Sequence, residues 1–331
     1  SMMEKARRAI AGLLEVQASD VIFTSGSSES NTSAIKGVCF ANKNKKHIIT
    51  TNVEHSSILN CCRQMEEVFG YRVTYLPVDS TGKVSLKQVK DAVDEDTAIV
   101  SIMYVNNESG AINPINEISE YVKKKTHAYM HVDLTQSIGK VPLDMTNIDL
   151  ASISAHKLEG LKGSGILVKK SFVPYVPLIN GGEQEFGIRG GTSNALVDMM
   201  FAKTLRLALE NGKKYHSCIQ EMHDRLIAGL KSIEGVEINS PEDAIASTVN
   251  FSYENIPSEV MQNALNEGGF MVSARSTCDS KSMNPSYVLE AMGFSKKRAS
   301  SCIRVSLSYH NTLEEVDRFI EVLKGVIQLY G

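Results

Sequence analysis

Three places in this chain combine residue types that do chemistry with a position just after a run that reads as a β-strand. Lys157 stands in Ser154-Ala155-His156-Lys157, after the run Ile148–Ser154 and ahead of Gly160, Gly163 and Gly165. Asp133 follows Tyr129–Val132, with Gln136 three residues on. Thr24-Ser25-Gly26-Ser27-Ser28-Glu29-Ser30-Asn31 follows Val21–Phe23 and leads into a helix. A small, hydroxyl-rich turn at a helix start offers free backbone N–H groups, hydroxyl donors and the positive end of the helix dipole, which suits a phosphate. A carboxylate at a strand end needs a cationic or hydrogen-bonding partner to justify its charge.

Taken together, a lysine, an aspartate and a phosphate cradle at separate strand ends match the demands of pyridoxal 5′-phosphate (PLP). Its aldehyde needs a lysine for a Schiff base, its pyridine nitrogen needs a carboxylate, and its phosphate needs donors. His55, in Val53-Glu54-His55-Ser56-Ser57, is placed to stack on the ring, and Asn106-Asn107-Glu108-Ser109-Gly110 forms a further polar loop after Ala98–Met103.

The elements that must position these residues alternate in type. Strands are expected at Val21–Phe23, His47–Thr51, Arg72–Leu76, Ala98–Met103, Tyr129–Val132 and Ile148–Ser154. Helices are expected at Glu4–Val16, Leu86–Val93 and Ile115–Lys124, the last with Asn113 as N-cap and Pro114 in the first turn. Such alternation predicts β-α-β units and an α/β fold with a mostly parallel sheet, whose ligands bind beyond the carboxyl ends of the strands. Past about residue 195 the pattern turns to long helix, with Ile219, Met222, Leu226, Leu230 and Ile233 on one stripe. Strands at Thr248–Tyr253 and Cys302–Leu307 and a helix at Leu313–Leu329 complete a smaller α+β domain. The expected division is a large cofactor-binding domain over 1–205 and a small C-terminal domain over 206–331.

Composition narrows the class. The 331 residues carry a net charge of −3 with 42% hydrophobic and 22% charged residues, so no basic surplus exists to neutralise nucleic-acid phosphates. No apolar run approaches the roughly 20 residues of a membrane helix, and no signal-peptide core opens the chain, so the expected compartment is the cytoplasm. The six cysteines include no C-x-x-C pair, which argues for reduced thiols and no metal site built on that spacing.

The motifs, in this order, resemble those of the class V aminotransferase-type PLP enzymes and, within them, the cysteine desulfurase (NifS/IscS-like) family. The matching blocks are Thr24–Asn31, Glu54-His55, Asn106–Gly110, His131-Val132-Asp133-Leu134-Thr135-Gln136-Ser137, Ser154–Lys157, Gly181–Thr192, Ser276-Thr277-Cys278 and Pro285–Leu289. The resemblance implies the aspartate aminotransferase-like fold of PLP-dependent transferases. It implies that Lys157 holds PLP, that Asp133 pairs with the ring nitrogen and Gln136 with the ring oxygen, and that His55 stacks and moves protons. Ser27, Ser28, Ser154 and His156 would bind the phosphate. Thr192 would reach the phosphate of the neighbouring subunit, which implies a homodimer. Asn107 and Arg304 would hold the substrate L-cysteine, Arg304 through its carboxylate.

Cys278, in a polar stretch (273–284) that reads as a loop, would be the nucleophile. Its thiolate, favoured by Arg275, would take the substrate sulfur as a persulfide, releasing alanine and supplying an acceptor protein for iron–sulfur clusters or thiolated RNA. The other cysteines read as structural. Two departures from the family pattern stand out: members usually begin with a longer segment containing a strand-turn block that nothing here matches, and Arg275-Ser276-Thr277-Cys278 replaces the usual Gly-Ser-Ala-Cys. Another class V reaction (selenocysteine lyase or aminotransferase), or an inactive homologue acting as a binding partner, stays open at this point.

Overall fold

The computed structural model describes residues 2–274 and 284–331; Cys278 and Arg275, and with them most of the expected nucleophile loop, lie outside the described residues. The chain forms two compact units. The first comprises residues 1–76, 84–104 and 113–212, and the second comprises 77–83, 105–112 and 213–331.

The first unit opens with α1 (Met2–Leu14), which ends where Glu15 adopts φ 56°, two residues short of the expected Val16. There follow β1 (Val21–Thr24), α2 (Ser27–Ala41), β2 (His47–Thr51), α3 (Ser56–Glu67), β3 (Arg72–Leu76), α4 (Leu86–Ala92), β4 (Thr97–Met103), α5 (Ile115–Lys125), β5 (Tyr129–Asp133), β6 (Leu150–Ser154), β7 (Gly165–Lys169) and α6 (Ala195–Lys214). The sheet order is β1-β7-β6-β5-β4-β2-β3. The pairs β3–β2, β2–β4, β4–β5 and β5–β6 are parallel, while β7 runs antiparallel to both β6 and β1. Every residue of β2, β4, β6 and β7 is buried, as expected of strands covered on both faces. One such cover is α2, whose Ala34, Ile35, Val38 and Cys39 pack with Ile22, Ile48, Ile99 and Leu167.

The second unit contains α7 (His216–Lys231), β8 (Val236–Ile238), β9 (Thr248–Tyr253), α8 (Ser258–Glu267), α9 (Tyr287–Ala291), α10 (Lys296–Ala299), β10 (Cys302–Ser306) and α11 (Leu313–Tyr330). Its antiparallel sheet has the order β10-β9-β8. The α7 stripe of Met222, Leu226 and Leu230 packs with Val249, Phe251, Ile303, Phe319 and Leu323 in one core. A Thr312 capping box with Glu315 starts α11.

Three expectations are corrected. The division falls at Gly212/Lys213, in the last turn of α6, and not at 205/206, and two short excursions (77–83 and 105–112) cluster with the C-terminal unit. Asn113 does not cap α5. Its side chain is drawn inward, donating to Met103 O at 2.9 Å and accepting from Val84 N at 3.1 Å, and Pro114 takes the N-cap position without a side-chain cap. Strand β6 begins at Leu150 and not Ile148, since the Asp149 side chain turns aside to accept from Met130 N and Lys123 Nζ.

Candidate active site

The register of the first unit's sheet gathers the chemically promising residues at one edge. Thr24 and Ser154 are both register partners of Gly165, and Asp133 pairs with Ser152, so β1, β5 and β6 end at the same edge of the sheet, with β7 between β1 and β6. This is the carboxyl edge, where ligands of open α/β sheets bind.

At the end of β1 the chain turns through Gly26, whose φ of 148° suits glycine, into the first turn of α2. The Ser27 N–H donates to Ser154 Oγ at 2.8 Å, and the two hydroxyls lie 2.7 Å apart. Behind them, Thr24 Oγ1 and Ser30 Oγ are 2.8 Å apart and the Ser30 hydroxyl donates to Ile166 O, fixing the turn. Gly165 is required here: a Cβ would meet Gly26 Cα at 2.5 Å and Ile153 O at 2.8 Å. Ser28 is exposed in the same first turn.

Asp133 is buried at the end of β5. Its Oδ1 accepts from Thr135 N at 3.0 Å and its Oδ2 from Asn31 Nδ2 at 2.9 Å, and among the described residues no Lys or Arg forms an ion pair with it. Gln136 is half-buried, its amide oxygen accepting from Lys140 Nζ. Beneath lie two buried titratable groups. His131 bridges the hydroxyls of Ser101 and Ser152 at 2.7 and 2.8 Å, and burial depresses it to about 4. Glu54 accepts from Met103 N and the Thr51 hydroxyl, and burial above all, then the nearby Asp133, pushes it up to about 8.

His55 is the N-cap of α3: its Nδ1 accepts from Ser57 N at 3.1 Å and lies 2.8 Å from Ser57 Oγ. His156 and Lys157 are exposed on the short 3-10 turn 155–158 that follows Ser154, and the turn closes with Glu159 at φ 62°. Partial burial, then the charges of Lys157 and Lys162, lower the His156 imidazole.

Thr192 is exposed in a glycine-rich loop and lines a cavity of about 230 Å³ together with Thr24, Ser25, Glu185, Arg189 and Asp198. Two residues of that loop, Glu185 (φ 50°) and Phe186 (φ 59°), occupy the left-handed region. Glu185 is held there by Arg7 through bonds of 2.7 and 2.9 Å and by Phe23 N at 2.8 Å, and the Arg7 guanidinium lies 4.9 Å from the ring centroids of Phe23 and Phe186. Arg189 in turn pairs with Glu29, which accepts from Ser25 N, so the loop also braces the turn between β1 and α2.

The remaining two candidates belong to the second unit. Arg304 on β10 donates to Asn107 O at 2.7 Å and to Ser273 Oγ at 3.2 Å. Its Nε and the Asn107 Oδ1 are both buried without a partner, a pattern that marks a place for a ligand or water. Burial lowers the Arg304 guanidinium, and the nearby Glu108 opposes this.

Asn31, Ser57, Glu54 and the Arg7–Glu185 pair had no assigned role in the sequence reading. Asn31 carried one faint signal, a short amide in the fifth position of a helix, where its propensity is poor. Of the remaining cysteines, Cys39, Cys61, Cys62 and Cys302 are buried and Cys218 is exposed. Burial raises the Cys61 thiol to about 11 and pushes Cys39 and Cys62 higher still, so these thiols are inert at neutral pH. Among the described residues no group of three His, Cys, Asp or Glu is gathered to hold a metal, and no helix is long and apolar enough to cross a membrane.

The donor set fits PLP. A helix N-terminus with converging hydroxyls suits a phosphate, and a buried carboxylate partnered only by N–H donors suits a protonated ring nitrogen. A lysine stands on the adjoining turn, and Thr135 Oγ1 and Asn31 Oδ1 are buried and unpartnered beside the carboxylate.

Comparisons with known proteins agree with this chemistry. The family model described as Aminotransferase class-V matches residues 1–319. A curated cysteine desulfurase IscS of Methanosarcina thermophila is 41% identical over 98% of this chain and 80% of its own length. Among solved structures, a NifS-like protein superposes with a TM-score of 0.92 at 38% identity, covering 99% of this chain and 88% of that one. SspA, solved in complex with cysteine, gives 0.80 at 32% identity over 92% of this chain and 86% of that one. With fold, donor set and relatives in accord, the chain belongs to the PLP-dependent class V aminotransferase family and, within it, to the cysteine desulfurases of the NifS/IscS type.

Proposed function

We propose that the protein removes sulfur from L-cysteine, with Lys157 holding the cofactor and Cys278 receiving the sulfur. The observation that carries this reading is the gathering of Asp133, Ser154 with its Lys157 turn, and the α2 N-terminus at one edge of the sheet. SspA, the relative solved with cysteine, supports the same substrate here.

Bound at this site, PLP would supply an electron sink for the bonds at the substrate's Cα. The rest is done by this chain. Asp133, as a carboxylate, would accept a hydrogen bond from the protonated ring nitrogen and so keep the proton there and the ring electron-poor, and Gln136 would bond the ring oxygen. Ser27, Ser28, Ser154 and His156 hold the phosphate, together with the N–H groups of α2. His55 covers one face of the ring and carries a proton. Lys157 would hold the cofactor's aldehyde carbon and would take the substrate's Cα proton as the base. Arg304 binds the substrate carboxylate and Asn107 offers its unpartnered amide oxygen beside it.

Cys278 then attacks the substrate sulfur as a thiolate. The Cβ–S bond breaks, an S–S bond forms, and L-cysteine plus the enzyme thiol become L-alanine plus an enzyme persulfide, so atoms and electrons balance without an external oxidant. Arg275, three residues before, favours the thiolate. The persulfide passes to an acceptor protein for iron–sulfur clusters or thiolated RNA in the cytoplasm. The active assembly is a homodimer in which Thr192 reaches the neighbouring subunit's phosphate. Exposed Leu196, Met200 and Leu207 on α6 and Phe186 support such an apolar association.

The test is an incubation of purified protein with PLP, L-cysteine and a reductant. Sulfide and alanine should appear in equal amounts, and Cys278→Ala should keep the yellow colour and lose sulfide release. Amino transfer to a keto acid without sulfide, or normal sulfide release by Cys278→Ala, would overturn the assignment.

A further inference from the structure

The two groups assigned to the cofactor ring, Asp133 and His55, are 78 residues apart in sequence but are joined in the fold by an unbroken chain of hydrogen bonds. Both protons of Asn31 Nδ2 are committed: one goes to Asp133 Oδ2 at 2.9 Å, the other to Ser57 Oγ at 3.0 Å. The reversed amide would press Oδ1 against a carboxylate oxygen, so Asp133 dictates which way Asn31 faces. Ser57 Oγ, having accepted from Asn31, has its own proton left for His55 Nδ1 at 2.8 Å, and the Ser57 N–H donates to the same nitrogen at 3.1 Å. A ring nitrogen that accepts carries no proton, which places the imidazole proton on Nε2.

We infer that Asn31 and Ser57 are positioning residues that make the charge on Asp133 and the tautomer of His55 one coupled unit. The carboxylate orients the amide, the amide orients the hydroxyl, and the hydroxyl fixes the imidazole. Asn31 is fully buried, so water does not compete for its protons. Its other end, Oδ1, is unpartnered, a cost borne by a residue in a helix position where it has poor propensity. The inference rests on the proposed roles of Asp133 and His55 at the ring.

The test uses two independent readouts. With nitrogen-labelled histidine in the holoenzyme, and a His55→Asn spectrum to identify the signal among the eight histidines, NMR should show a single tautomer with a pyrrole-type Nε2 and a pyridine-type Nδ1. In Asn31→Ala and in Ser57→Ala, the Nδ1 resonance should move toward that of an unbonded nitrogen, while Ser57→Thr, which keeps the hydroxyl, should restore it. In equilibrium binding of PLP to the cofactor-free protein, Asn31→Ala should weaken affinity about tenfold or more and Ser57→Ala severalfold. The double variant should lose less than the product of the two single losses, as for residues that act through one another.

A proton on Nδ1 in the wild type, losses that multiply, or a Ser57→Thr variant as impaired as Ser57→Ala would each overturn the coupling. Should Asn31→Ala fold poorly, the Ser57 pair and the wild-type tautomer still decide it. Loss of the yellow colour in Lys157→Ala alongside multiplying losses would remove the coupling and leave the cofactor site standing.

Discussion

Replacing Arg7 by methionine tests how the glycine-rich loop that carries Thr192 is held. The guanidinium is buried, bonds both oxygens of Glu185 at 2.7 and 2.9 Å, and sits against Phe23 and Phe186. Methionine fills similar volume without the charge, which leaves Glu185 buried with only the Phe23 N–H. Removing one partner of a buried pair costs about 3–5 kcal/mol. The loop cannot absorb that loss easily, because Glu185 and Phe186 already sit at φ 50° and 59°, conformations that each cost on the order of 1–3 kcal/mol. Opening of the loop should therefore become easier by at least 3 kcal/mol, or more than a hundredfold in hydrogen exchange at about tenfold per 1.4 kcal/mol. The amides to watch are Gly187, Ile188 and Gly190, which bond Glu183 O, Glu185 O and Ile179 O. Adding Glu185→Gln to Arg7→Met should recover most of the protection, since the amide is neutral and still accepts from Phe23 N. Exchange within tenfold of wild type in the single variant, or a double variant worse than the single, would refute the latch.

Two further outcomes follow from the site. Gly165→Ala should weaken PLP binding at least tenfold in an equilibrium titration, because its Cβ would displace the Gly26 backbone at the phosphate turn, and a variant that binds normally would contradict that packing. Glu54 should make stability depend on pH. Its carboxyl holds its proton to about 8 when folded and only to about 4.5 when unfolded, so its contribution is whole below 4.5 and is lost as pH rises through 8, by roughly 1.4 kcal/mol per unit in between. Glu54→Gln should accordingly match wild type near pH 5 and have the higher Tm at pH 8, and parallel Tm profiles for the two proteins would count against it.

The sequence made the sheet legible wherever strands were short apolar runs between turns. His47–Thr51, Arg72–Leu76 and Thr248–Tyr253 appear at the expected residues. Strand β7 was not among the expected strands, because a glycine-rich stretch leads into it and its first residue, Gly165, is there for close packing. Strand β8 is three residues long, too short for alternation to register. The same division holds at the site. Asp133, Ser27, Ser154 and Lys157 could be singled out as candidates because each stands at the end of a strand or within three residues of it. Asn31 and Arg7 could not, since what they do depends on partners 102 and 178 residues away, which only tertiary packing brings near. Asn113 shows the opposite failure: a good local cap signal lost to two buried backbone groups that needed its amide more.

The cofactor site centres on the lysine beside His156. Borohydride reduction of the PLP-loaded protein, followed by peptide mass spectrometry, should find the phosphopyridoxyl group on Lys157 and on no other residue. A label on a different lysine, or a reduced protein that carries none, would contradict the cofactor site described above.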